Sequence, residues 1–154
     1  MKRIVILLTL AILFVGAPLC LADSPQMGTW KLNEAKSKIS PGAPKNHTVV
    51  YEAAGDSVKV TVDGTDGSGS PSHSEWTGKF DGKFYDVSGD PTSDKRSYRK
   101  INNRTLALTG KKGNKVTLTG RIVVSANGKT RTVTTTTTDA KGKKLSSRVV
   151  YDKQ

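Results

Sequence analysis

Cysteine is nearly missing from this chain: Cys20 stands alone among 154 residues, and it lies in an apolar leader. Downstream of it no disulfide can staple the fold, so the chain must hold together through its core and hydrogen bonds. Histidine occurs only at His47 and His73, too few and too scattered for a zinc or copper site. Asp63, Asp66 and Gly67 fail the spacing of a calcium loop and read as turn residues. No metal and no cofactor is implied. Acidic residues are absent between Lys95 and Thr138. Aromatics make up 6% of the chain, and Trp30, Trp76, Phe80, Phe84, Tyr98 and Tyr151 are barely enough to fill one small core. Past the leader no apolar run is long enough to span a bilayer.

What is present begins with the leader itself. Lys2-Arg3, an apolar run over 4–15 and then Cys20-Leu21-Ala22 form the basic, hydrophobic and small-residue regions of a bacterial-type secretory signal peptide, with cleavage expected after Ala22. A lipidated Cys20 is disfavoured because the bulky Leu19 stands where a small residue is wanted. Removing 22 of 154 residues leaves 132, a single domain over 23–154, secreted or periplasmic. The formal charge of +12 is unevenly spread: residues 23–94 hold 7 Lys/Arg against 11 Asp/Glu, and residues 95–154 hold 16 against 2. Such a basic half is either a solvated face or a surface for an anionic partner.

The rhythm of the chain is that of strands. Residues 28–32 alternate Trp30 and Leu32 against Thr29 and Lys31, and Pro41, Gly42 and Pro44 make 33–45 a connecting loop with at most one turn of helix. Strands are predicted at 48–53 and 57–63, the latter with Val58, Val60 and Val62 on one face. A Gly/Ser loop over 64–72 leads to a second hairpin, 74–80 and 83–87, whose tight turn is Asp81-Gly82. The basic half adds strands at 95–101, 104–109, 115–125, 128–139 and 145–152. In 115–125, Val116, Leu118, Ile122 and Val124 share a face, and Asn127-Gly128 is the strongest hairpin turn signal in the chain. About ten short strands with short connections predict an all-β antiparallel up-and-down meander of 8–10 strands closing into a barrel, which removes its edges. An open half-barrel or a β-sandwich is the alternative, though the cysteine pair of an immunoglobulin-type sandwich is missing.

Gly28-Thr29-Trp30-Lys31-Leu32 as opening strand, the meander, and a last strand ending Arg148-Val149-Val150-Tyr151-Asp152-Lys153 resemble the lipocalin and fatty-acid-binding (calycin) superfamily of β-barrels. The whole chain is similar to small exported bacterial proteins of lipocalin-like type with no assigned activity. The resemblance implies that Gly28 and Trp30 close the barrel and that a late-strand basic residue, taken as Arg148, packs on Trp30. Two features depart from the fatty-acid binders. The stretch 33–45 is too short for their helical lid, and Arg148 and Tyr151, three apart, point to opposite faces of a strand rather than forming a carboxylate clamp.

Candidate ligand residues follow from the alternation. Arg131 shares a face with Val133, and Arg104 with Leu106 and Leu108, so either arginine is placed to meet a carboxylate or phosphate inside a barrel. Trp76, Tyr98 and Tyr151 are the aromatics expected to line a pocket, with core packing as the plainer role for each. No nucleophile, base and orienter converge in the sequence, so no catalytic residue is assigned and a non-enzymatic protein is expected. The leading expectation is an exported monomer binding a small amphipathic or acidic ligand. The alternative is an envelope or surface protein docking anionic polymers or lipid headgroups through its basic C-terminal half. No nucleic acid partner is expected, since no aromatic stacking platform interleaves with the basic residues.

Overall fold

The computed structural model describes residues 24–139 and 141–154, so the leader, the cleavage point after Ala22 and Cys20 lie outside the described residues. Ten strands follow in order: β1 Gly28–Leu32, β2 Lys45–Ala54, β3 Ser57–Thr65, β4 Pro71–Gly78, β5 Tyr85–Ser88, β6 Lys95–Asn102, β7 Thr105–Lys112, β8 Lys115–Val124, β9 Thr130–Thr138 and β10 Lys144–Lys153. Each pairs antiparallel with its sequence neighbours, and β1 also pairs with β10, so the meander closes into a ten-stranded barrel. At this coarse level the closed antiparallel barrel is consistent with the calycin resemblance, and neither the half-barrel nor the sandwich applies. A single 3-10 turn, Glu34–Lys36, is the helical content of the described residues, and no helix among them is long and apolar enough to cross a membrane.

The alternation dictates which side chains meet inside. Val58, Val60 and Val62 of β3 face inward and are buried, with Val60 registered between Tyr51 of β2 and Trp76 of β4. Tyr98 stands 4.7 Å from Trp76, edge to face, and Tyr51 and Phe80 join the same cluster. Gly78 makes this crowding feasible: a Cβ there would come within 2.6 Å of the Tyr85 ring and 2.7 Å of Trp76. At the start of β1, Gly28 takes a φ of +102°, a conformation L side chains rarely adopt. The chain so aimed drives Trp30 into the barrel, where it is fully buried.

The two ends of the barrel differ. At one, residues 24–27 cross beneath Trp30. Trp30 Nε1 donates to the Gln26 carbonyl at 2.9 Å, and the buried Gln26 donates from Nε2 to the Arg104 carbonyl at 3.2 Å. That end is closed. At the other lie the β1–β2, β3–β4 and β5–β6 connections, and between them the interior opens.

Three local readings of the sequence are corrected. β4 begins at Pro71 rather than 74, because residues 71–73 continue the ladder along the long edge of β3 in spite of their loop-like composition. Asp81-Gly82 is not a two-residue hairpin turn. The Gly82 amide donates to the Tyr98 carbonyl and the Lys100 amide to the Phe80 carbonyl, so this segment pads the edge of β6 while β5 shrinks to four residues. Val116 does not face the core: a register shift between Gly110 and Lys111 turns it outward, and it is 45% exposed.

Candidate functional site

The interior above the aromatic cluster is a cavity of about 130 Å³, reached from the open end. Its upper wall is hydroxylated. Thr135 and Thr137 of β9 face inward, Thr135 opposite Ser147 of β10, and Ser72 and Ser74 of β4 line the far side. Period two explains this, since the inward positions of the threonine-rich strand run Arg131, Val133, Thr135, Thr137 from the closed end to the mouth. Along β9 the lining therefore changes from a cation at the floor to hydroxyls at the rim.

Arg131 forms the floor. Its side chain is 2% exposed, and its guanidinium carbon lies 5.0 Å from the centres of the Trp30 and Tyr51 rings and 4.8 Å from that of Tyr151. Three π-faces favour a cation, each by about 0.5–2 kcal/mol. Burying the ion costs several kcal/mol, and its Nε and Nη1 have no hydrogen-bond partner. Among the described residues no carboxylate forms a salt bridge with it. The site is thus a desolvated cation with two donors free. Around it the phenols stay protonated: burial pushes Tyr151 up to about 12 in spite of Arg131 and Asn46, and burial, reinforced by Tyr98, also raises Tyr51.

A second buried arginine is treated differently. Arg96, beside the mouth, pairs through Nη2 with the Asp90 carboxylate, whose other oxygen accepts from the Thr92 amide at 2.8 Å and hydroxyl at 2.7 Å. Burial works against the Arg96 charge, but Tyr98 and Asp90 outweigh it and hold its pKa above the ordinary arginine value. Of the two cations in the cavity wall, one is neutralised by the protein and one is not.

The residues singled out from sequence separate accordingly. Arg131 and Tyr98 line the cavity, and Tyr151 packs beneath Arg131. Trp76 belongs to the core: it is 1% exposed, and its Nε1 donates to the Arg96 carbonyl at 3.0 Å. Arg104 does not share the face of Leu106 and Leu108. It sits exposed in the β6–β7 turn at the closed end, where its carbonyl accepts from Gln26 and Val124. Gly28 and Trp30 lie on β1, which pairs with both β2 and β10 where the meander closes, whereas Arg148 is exposed on the outer face. The basic groups over Trp30 are Arg131 and Lys153, the latter with Nζ 5.3 Å from the ring centre. The Arg96–Asp90 pair went unread. The spacing Arg96-x-Tyr98 puts Arg96 on the face of a core aromatic, but nothing in the Gly/Pro loop signals that Asp90 folds back onto it.

Both histidines lie outside the cavity. His73 is exposed on the outer face of β4, with Nδ1 2.6 Å from Asp63, and this hydrogen bond raises its pKa above the ordinary value. His47 is exposed beside the β2 bulge. Among the described residues no group of three or more His, Cys, Asp or Glu is placed to hold a metal ion. Compared with known proteins, the chain matches no family model and no curated protein.

Proposed function

We propose that the chain is an exported, non-enzymatic, lipocalin-like binding protein that takes one small acidic molecule through the open end of its barrel and seats the acid group on Arg131. The observation that carries this reading is the buried Arg131 guanidinium at the cavity floor, with Nε and Nη1 unpaired. An anion there gains charge-assisted hydrogen bonds in a desolvated site, where they are strongest. Ligand size follows from the space. At about 130 Å³ the cavity falls below the roughly 300–1,000 Å³ of drug-sized pockets, which favours a compact acid over a long acyl chain. The hydroxyls of Thr135, Thr137 and Ser147 suit a ligand with a polar group at its outer end.

Isothermal titration with hexanoate, benzoate, hexadecanoate and the neutral hexanol tests this. Saturable binding of the short acids, absent for hexanol and lost in Arg131→Met, is the expected result. If no acid binds saturably, or if Arg131→Met binds as the parent does, the reading falls.

A further inference from the structure

The outer face of β6–β10 is built in rows. Reading the register across the strands, Arg99 stands opposite Ala107, Ala107 opposite Arg121, Arg121 opposite Thr134, Thr134 opposite Arg148, and Arg148 opposite Lys38. Arg99, Arg121 and Arg148 therefore occur on alternate strands, separated by Ala107 and Thr134, and Lys38 directly neighbours Arg148. With neighbouring strands about 4.8 Å apart, the three arginines are spaced about 10 Å along the row at the backbone, and Lys38 lies about 5 Å beyond Arg148. All four are exposed, and none forms a salt bridge among the described residues. Asp81, the acid that stands opposite Arg99 at the end of the row, is already engaged by the Tyr85 hydroxyl and the Lys83 amide.

Directly toward the open end lies a second row, Thr109, Thr119, Thr136 and Ser146, again in continuous register. Thr136 and Ser146 are hydrogen-bonded to each other at 3.2 Å. Small hydroxyl side chains thus run parallel to the basic belt.

We infer that this face binds a linear acidic polysaccharide laid along the row, with its acid groups on Arg99, Arg121 and Arg148 and its sugar hydroxyls against the threonine row. This goes beyond the cavity reading and does not rest on it. Charge complementarity carries the inference: three exposed arginines evenly spaced in one line, with no acid between them on the same face, match a chain that presents an acid group at regular intervals. Arginine offers a planar fork for carboxylate or sulfate, and the neighbouring hydroxyls donate to and accept from sugar hydroxyls. Shape selects the polymer over a lipid surface. The row curves with the barrel wall, so a flexible strand can follow all of it while a flat bilayer touches only part.

The test is retention of the full chain on immobilised polygalacturonate as salt is raised, alongside anionic phosphatidylglycerol vesicles and neutral dextran. Retention on polygalacturonate should fall steeply with salt, and dextran should not retain the protein. The variant Arg99→Gln/Arg121→Gln/Arg148→Gln should weaken binding by about tenfold or more at low salt. Lys129→Gln/Lys141→Gln/Lys143→Gln, which removes the same charge from exposed turns, should change it less than about twofold, the size expected of screened surface charge. Equal losses in the two variants would reduce the effect to net charge and overturn the inference, as would retention by vesicles but not by polygalacturonate. Because Arg99 packs on Gly82, the double variant Arg121→Gln/Arg148→Gln serves if the triple variant does not fold, and unchanged retention in it overturns the inference equally.

Discussion

Arg131 of β9 lies over the ring of Trp30 of β1 at the closed end of the barrel, the guanidinium carbon 5.0 Å from the ring centre. Strands from opposite ends of the chain thereby bring together a plug and a cation that borders the cavity. The same arginine is the ceiling of the core and the floor of the site.

Replacing Trp30 should be costly. Trp30→Ala deletes a fully buried ring and should lower the unfolding free energy by about 3–5 kcal/mol. Trp30→Phe keeps most of the apolar contact but leaves the Gln26 carbonyl without its donor, and should cost less, about 1–3 kcal/mol. Urea denaturation followed by circular dichroism measures both.

Replacing Arg131 should not be. The desolvation of the ion and two unpaired donors outweigh three cation–π contacts, so Arg131→Met should be at least as stable as the parent in the absence of ligand. Stability gained or kept while acid binding is lost is the signature of a residue retained for a ligand. A destabilisation above about 2 kcal/mol in the denaturation curve would instead make Arg131 a structural strut.

Asp90 should behave in the opposite way. Asp90→Asn removes the counter-charge of a buried arginine that its surroundings hold protonated, and should cost about 3 kcal/mol or more. Thermal and urea unfolding of the variant check this, and Asp90→Asn/Arg96→Met should recover much of the loss.

Alkali should destabilise the barrel through its phenols. Tyr151 ionises at about 12 in the folded protein and near 10 when unfolded, so between these values the folded state holds a proton that the unfolded state has released. Stability is then fully present below about pH 10 and declines as the pH rises toward 12. Tyr51 shifts in the same direction and adds to the slope. Spectrophotometric titration at 295 nm should show delayed tyrosine ionisation, and unfolding free energies measured between pH 9 and 12 should fall.

Much of the barrel was legible because its information is local. The alternation Val58-x-Val60-x-Val62 and the turn at Asn127-Gly128 each depend on a few adjacent residues, and ten such segments in series leave little choice of topology. Arg131 was legible for the same reason: period two from Val133 places it inside. What was hidden depended on register between distant strands. Nothing near Trp30 says whether Arg131, Arg148 or Lys153 covers it, since that is decided by how β9, β10 and β1 align. Arg104 was misplaced because the strand starts one residue later than its sequence suggests, leaving the arginine in the turn. The Arg96–Asp90 pair and the belt of Arg99, Arg121 and Arg148 are likewise products of folding, the first of a loop closing over a strand and the second of four ladders in register.

The pairing of β1 with β10 also governs how the molecule is made. Trp30, Lys31 and Leu32 find their partners at Lys153, Asp152 and Tyr151, almost the whole domain away in sequence. Every other seam joins sequence neighbours, whereas this one requires closing a loop that spans all the strands between. Ring closure is therefore expected to be the late event of folding. Until it occurs, β1 and β10 present bare strand edges of the kind that pair with other chains. The last partner in this seam is the last strand to be synthesised, so the barrel can be sealed only once all ten strands are available.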